Sequence, residues 1–195
     1  MEQTANAAMA EAQPVVSHAI EEFEDFDSVV RAHQRGIYRV LLALLHDTDT
    51  ADALTQECFL KAYEHKSKFR GECSARTWLT RIAVNLARDH VKSRRWQFWR
   101  NLFHQSGDTA ELPEPVAPQA SPERALLARE QLVGVWSEVD KLPNQQRAVF
   151  VLRFVEEMSI EEIAEATFLR PGTVKAHLFR ATGAVRERLK ERKNR

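Results

Sequence analysis

Between Phe69 and Arg100 the chain reads FRGECSARTWLTRIAVNLARDHVKSRRWQFWR. Arg81, Asn85, Arg88, Lys92 and Arg95 recur there at steps of three or four residues, which on a helix aligns the cations and one amide as a single stripe. Cations neutralise phosphates, and an amide carries both a donor and an acceptor for a base edge. Phe69-Arg70-Gly71 precedes the stripe, and Trp96, Phe98 and Trp99 follow it, interleaved with Arg94, Arg95 and Arg100. Charge for a backbone and flat rings for bases are what single-stranded nucleic acid requires. The same pattern also fits a solvated amphipathic helix whose tryptophans are core, so this stretch alone leaves both readings open.

A second stretch, SIEEIAEATFLRPGTVKAHLFRATGAVRERL, has a different chemistry. Ser159 and Glu162 have the spacing of a capping box, with Ile160, Ile163 and Ala164 forming the apolar side of a short helix. Phe168-Leu169-Arg170 is a brief connection, and Pro171-Gly172-Thr173 opens a long helix with Val174, Leu178, Ala181, Val185 and Leu189 facing inward. Two helices joined by so short a turn predict a helix-turn-helix. Its outward residues are Thr173, Lys175, Ala176, His177, Phe179 and Arg180, types that reach base edges and phosphates in a major groove. The alternative is a helical hairpin that binds nothing. Against it, cations continue outward through Arg186, Arg188, Lys190, Arg192 and Lys193.

Other elements must hold these two stretches in place. Phe26, Val29 or Val30, His33, Ile37, Val40 or Leu41 and Leu44 predict a helix as far as His46, with His33 packed or hydrogen-bonded rather than a ligand. The run DTDTAD from Asp47 to Asp52 ends it and caps the next. That next helix, Ala51 to His65, is expected to bury Leu54, Cys58 and Ala62 and to display Asp52, Gln56, Glu57, Phe59, Leu60 and Tyr63, either as an ordinary packed helix or as a docking face. Ser74 caps the basic helix, whose predicted core face is Trp78, Ile82 and Leu86. Residues 23–100 thus predict a compact helical domain. Ser121-Pro122-Glu123 starts a further helix with Leu126, Leu127, Val133, Trp136 and Val139 on its core face, ended by Leu142-Pro143-Asn144. Another follows from Gln145 to Val155 with Ala148, Val149 and Leu152 inward. No segment alternates as a strand does, so the expected class is all-α.

Composition bounds the function. The 195 residues are 44% hydrophobic and 29% charged, with a formal net charge of zero, as in a globular protein without a bulk attraction to polyanions. The zero is a cancellation of blocks, because the first sixty residues are acidic while 66–100 and the tail after Arg170 are basic. Residues 1–22 read as a flexible acidic tail. Residues 101–121, with Pro113, Pro115 and Pro118 among acids and no base, read as a flexible linker. Cys58 and Cys73 have neither disulfide nor zinc spacing, Cys58 reading as a small buried residue on a helix and Cys73, in the turn before the basic helix, as a candidate redox-sensitive thiol. No signal peptide and no long apolar run is seen, so the expected setting is the cytoplasm. An enzyme acting on nucleic acid lacks its parts here: no phosphate loop, no carboxylates at metal spacing, no activated nucleophile.

In order, DALTQECFLKAY, FRGECSARTWLTRIAVNLARDHV, the proline-rich linker, LPNQQRAVFVLRFVEEMSIEEIAE and PGTVKAHLFRA resemble bacterial sigma factors of the extracytoplasmic-function group, over roughly Phe23 to Leu189. The resemblance implies two small helical domains joined by a flexible linker: region 2 over 23–100 and the region 4 helix-turn-helix over 122–195. It implies core RNA polymerase and promoter DNA as partners, with no cofactor, no small-molecule substrate and no catalytic residue. Asp52, Gln56, Glu57, Phe59 and Tyr63 would meet the polymerase clamp. Phe69, Arg70, Arg76, Trp78, Arg81, Asn85, Arg88, Lys92 and Arg95 would capture the minus-ten strand, with Asn85 reading an extruded base. Thr173, Lys175, Ala176, His177, Phe179 and Arg180 would read the minus-thirty-five duplex. An anti-sigma factor, often membrane-bound in this group, would hold the protein inactive, with Phe59, Tyr63, Phe98 and Trp99 suited to its clamp. Phe168-Leu169-Arg170 and His177 depart from the group's pattern. The other class in play is a stand-alone helix-turn-helix regulator, which would need a dimerisation helix, and no heptad seam for one is visible.

Overall fold

The computed structural model describes residues 25–93 and 132–193, with side chains as far as Glu191. The expected tail, linker, aromatic cluster after Ser93 and helix start at Ser121-Pro122-Glu123, with Leu126 and Leu127, lie outside the described residues. The chain forms two compact units, one carrying 25–93 with 165–168 and the other 132–164 and 169–193. Among the described residues there is no strand.

The first unit is three helices: α1 (Phe26–Leu45), α2 (Thr48–His65) and α3 (Ala75–Lys92), with a 3-10 turn at Lys66–Lys68. Each begins on a side chain that satisfies an orphan backbone donor. The Asp25 carboxylate accepts from Ser28 N at 3.2 Å, Asp47 from Thr50 N at 3.3 Å, and Ser74 Oγ from Thr77 N at 3.1 Å. The cap at Asp47 starts α2 at Thr48, three residues before the expected Ala51. α1 ends where His46 turns left-handed at φ 56° and donates its N–H to Leu42 O at 2.8 Å.

All three helices pack on one another. Val29, Ile37, Val40, Leu41 and Leu44 of α1 meet Leu54, Thr55, Cys58 and Ala62 of α2 and the inner face of α3. That inner face differs from expectation. Ala75, Thr77, Leu79, Thr80, Ala83, Val84 and Ala87 are buried, whereas Trp78, Ile82 and Leu86 are only half-buried at its edge. The reason is steric: α3 touches both neighbours, and mostly small residues let the backbones approach while the bulky ones are displaced to the flank. Cys58 Sγ reaches Leu79 O at 3.5 Å across the gap between α2 and α3.

The second unit comprises a helical segment at 132–139 (α4), α5 (Asn144–Phe154), α6 (Ile160–Thr167) as far as Ala164, and α7 (Pro171–Lys193). Val139, Leu142, Phe150, Ala181 and Val185 form a core, with Trp136 and Leu189 packed against it. Val149, Leu152, Met158, Ile163 and Val174 are fully buried as well. Val133, expected inside, is exposed, and Ala148, Leu178 and Leu189 are half-buried. The capping box forms reciprocally: Ser159 N donates to Glu162 Oε2 at 2.8 Å, and Glu162 N to Ser159 Oγ at 3.1 Å. α6 stops where Phe168 takes φ 56° and Leu169 N donates to Ala164 O at 3.1 Å, a helix-ending bond that usually relies on glycine.

Burial pushes the Cys58 thiol up to about 12, with the Glu57 carboxylate adding to the shift. The neutral thiol is therefore the folded form. Its contribution to stability is full below its ordinary value of 9.0 and declines as pH rises toward 12. A thiol reagent at about pH 8 should accordingly spare Cys58 until denaturant is added and label Cys73, whose thiol burial also holds above its ordinary range, more slowly than a free thiol. Rapid modification of both in the folded chain would contradict this packing.

Candidate nucleic-acid interface

Burying the small-residue side of α3 turns its opposite side to solvent. Arg81 and Asn85 are half-exposed there and Arg88 and Lys92 exposed, so four of the five stripe positions share one outward face; Arg95 lies outside the described residues. Asn85 is tied into the stripe, because Arg88 Nη2 donates to its Oδ1 at 2.8 Å. Burial holds the His90 imidazole below its ordinary value, against the pull of Asp47 and Glu57, so near neutral pH this residue adds little charge to the helix.

The turn ahead of α3 completes the surface. Gly71 sits at φ 70°, a conformation side chains resist, and reverses the chain between Phe69 and the Ser74 cap. Phe69 is 8% exposed and packs against Trp78 at 5.3 Å between ring centroids. It is therefore a support beneath Trp78 rather than an open stacking platform. Trp78 and Arg76 are half-exposed, and Arg70 stands in solvent 3.9 Å from Glu72, a pairing too exposed to hold it. Lys68 is exposed immediately before this turn. The sequence reading missed Lys68; its signal was a cation immediately before Phe69.

On α7, Thr173, Lys175, Phe179 and Arg180 are exposed and Ala176 half-exposed, with the Phe179 ring 81% open to solvent. His177 is half-exposed, as Ala176 is. It lies on the same face as Val174 and Ala181, three residues after one and four before the other, and its Nδ1 is enclosed without a hydrogen-bond partner.

On α2, Asp52, Gln56 and Tyr63 are exposed and Glu57 half-exposed, with Gln56 Nε2 donating to Asp52 at 3.0 Å and Lys61 within 3.3 Å of Glu57. Phe59 is corrected: it is 7% exposed, its ring edge-on to Phe26 at 6.4 Å. α2 packs against two helices at once, so its buried arc extends past Cys58 to the next residue. The apolar surface left open is Leu60 and Tyr63, the latter lying under Lys66 Nζ at 4.4 Å from its ring.

Known proteins show the same arrangement. Residues 29–97 match the family described as Sigma-70 region 2, and residues 134–183 match Sigma-70, region 4. The RNA polymerase sigma-H factor of Pseudomonas aeruginosa is 34% identical over 161 residues, 82% of this chain and 83% of that protein. The ECF RNA polymerase sigma factor SigW of Bacillus subtilis is 30% identical over 169 residues, 85% of this chain and 89% of that protein. In fold, the chain resembles CnrH, solved with the cytosolic domain of CnrY, at a TM-score of 0.63 and 22% identity, covering 91% of this chain and 96% of that one. It also resembles the sigma factor RpoE of Bartonella quintana, solved with the anti-sigma factor NepR, at a TM-score of 0.61 and 20% identity, covering 86% and 98%. With both regions matched in order and relatives aligned over most of their length, the chain belongs to the sigma-70 family of RNA polymerase sigma factors, in its extracytoplasmic-function group.

Proposed function

We propose that this sigma factor directs core RNA polymerase to its promoters by dividing two nucleic-acid forms between two helices: α3 takes the melted minus-ten strand and α7 the minus-thirty-five duplex. The observation that carries this is the outward face of α3, where Arg81, Arg88 and Lys92 flank one amide beside the half-exposed Trp78. Phosphates on the cations and a base against the amide and ring together repay the few kcal/mol that extruding a base costs, about 1–3 kcal/mol coming from each stacked base. Arg70 is exposed and Arg76 half-exposed on the same turn and helix start, with Phe69 packed against Trp78. Thr173, Lys175, Ala176, Phe179 and Arg180 of α7 supply the hydroxyl, cations and apolar contacts for a major groove.

Asp52, Gln56, Glu57 and Tyr63, with Leu60 added and Phe59 withdrawn, form the surface proposed for the polymerase clamp. Polar residues around exposed apolar side chains support it. The protein itself performs no chemistry, and the polymerase supplies the catalytic metals. It works in the cytoplasm, where polymerase and DNA are; among the described residues no helix is long and apolar enough to cross a membrane. Region 2 occupies 23–100 and region 4 122–195, joined by 101–121. Control by an anti-sigma partner is supported by the fold neighbour RpoE, which was solved with one. The stand-alone regulator is not favoured, since it gives no account of a region 2 match over 29–97.

At a promoter selected from a randomised library by the chain with core polymerase, Asn85→Ala should lower open-complex formation by roughly tenfold, the worth of one base-edge contact. Binding to core polymerase should be unchanged, and equal loss of both would make Asn85 structural. On the same promoter held as closed duplex, Lys175→Ala and Arg180→Ala should each weaken binding and reduce the salt slope by about one. An unchanged slope would remove these two cations from the duplex contact.

A further inference from the structure

Arg88 and Asn85 stand one turn apart on the exposed face of α3, joined by the 2.8 Å bond from Arg88 Nη2 to Asn85 Oδ1. A guanidinium has donors only, so the amide atom facing it has to be oxygen. That bond orients the amide: Oδ1 is turned to Arg88 with one of its two lone pairs engaged, and Nδ2 with its two donors stands at the other end. On its other edge Nε lies 3.8 Å from Asp89 Oδ1, an exposed pair that adds little hold.

We propose that Arg88 is a specificity-setting positioning residue: by holding Oδ1, it makes Asn85 meet the extruded base chiefly through its Nδ2 donors. The inference rests on the reading of Asn85 as the residue that meets that base. A base whose exposed edge leads with acceptors is then favoured. Adenine is disfavoured, because its bidentate pairing with an asparagine needs both ends of the amide in one geometry, and Arg88 already sets the position of Oδ1. Arg88 thus acts twice, as one of the cations along the backbone and as the group that fixes the amide's orientation. The two roles have different signatures: a phosphate contact is blind to base identity, and an orientation is not.

The test uses the chain bound to core polymerase and short fluorescent single-stranded oligonucleotides carrying the melted element of a library-selected promoter. Each position is varied through the four bases, and affinity is read by anisotropy. The wild type should show a position at which adenine binds about three- to tenfold more weakly than the best base, the worth of one hydrogen bond. At that position Arg88→Ala should weaken all four oligonucleotides and reduce the discrimination to under about twofold. Asn85→Asp, which puts an acceptor at both ends, should shift the preference toward edges that lead with a donor. A uniform loss on Arg88→Ala with the base ratio intact would overturn the proposal and leave Arg88 a backbone anchor. Absence of base preference at every position in the wild type would instead overturn the reading of Asn85 on which the proposal rests.

Discussion

The close approach of α3 to both of its neighbours is the contact on which the rest of the first unit depends. Ala75, Ala83 and Ala87 are buried on α3, Ala51 and Ala62 on α2, and Cys58 Sγ lies 3.5 Å from Leu79 O between the two helices. Such spacing tolerates no added volume: a larger side chain at Ala83 or Ala62 would force the backbones apart, at a cost of about 1–3 kcal/mol. It also fixes the rotation of α3 about its axis. Once the small residues face inward, Arg81, Asn85, Arg88 and Lys92 face solvent, and Trp78 is left at the boundary between the two. Packing thus selects the face that meets the strand, and the charges follow from it.

The second unit reaches the same end by a different route. There the orientation of α7 is set by Val174, Ala181 and Val185 against α4 and α5, and the start of α7 is set by a short connection in which Phe168 bears a left-handed backbone. A phenylalanine in that conformation carries a strain of about 1–2 kcal/mol that glycine would avoid. The molecule therefore holds its two cationic surfaces on two separate cores. A formal net charge of zero is compatible with both, because the acids gathered in the first sixty residues offset the total without entering either surface.

Features that depend on neighbours in sequence were legible. The caps at Asp47 and Ser74, the box at Ser159 and Glu162, the helix opening at Pro171 and the stripe from Arg81 to Lys92 each involve residues within a turn or two of one another. Features that depend on how many helices surround a given one were not. Phe59 reads as exposed only if α2 has a single buried side, and Trp78, Ile82 and Leu86 read as core only if bulk rather than closeness governs the packing of α3. The bond from Arg88 to Asn85 is between residues three apart, yet periodicity says only that they share a face; which atoms meet emerges from the side-chain geometry.

The central claim is that this chain joins core RNA polymerase to carry these two surfaces onto DNA. The most direct measurement is gel filtration of the purified chain, free of any inhibitor, mixed with bacterial core polymerase at low micromolar concentration. The account predicts a single co-eluting species. Separate elution of the folded chain and the polymerase would contradict it and return the helix-turn-helix to the role of a stand-alone DNA-binding module.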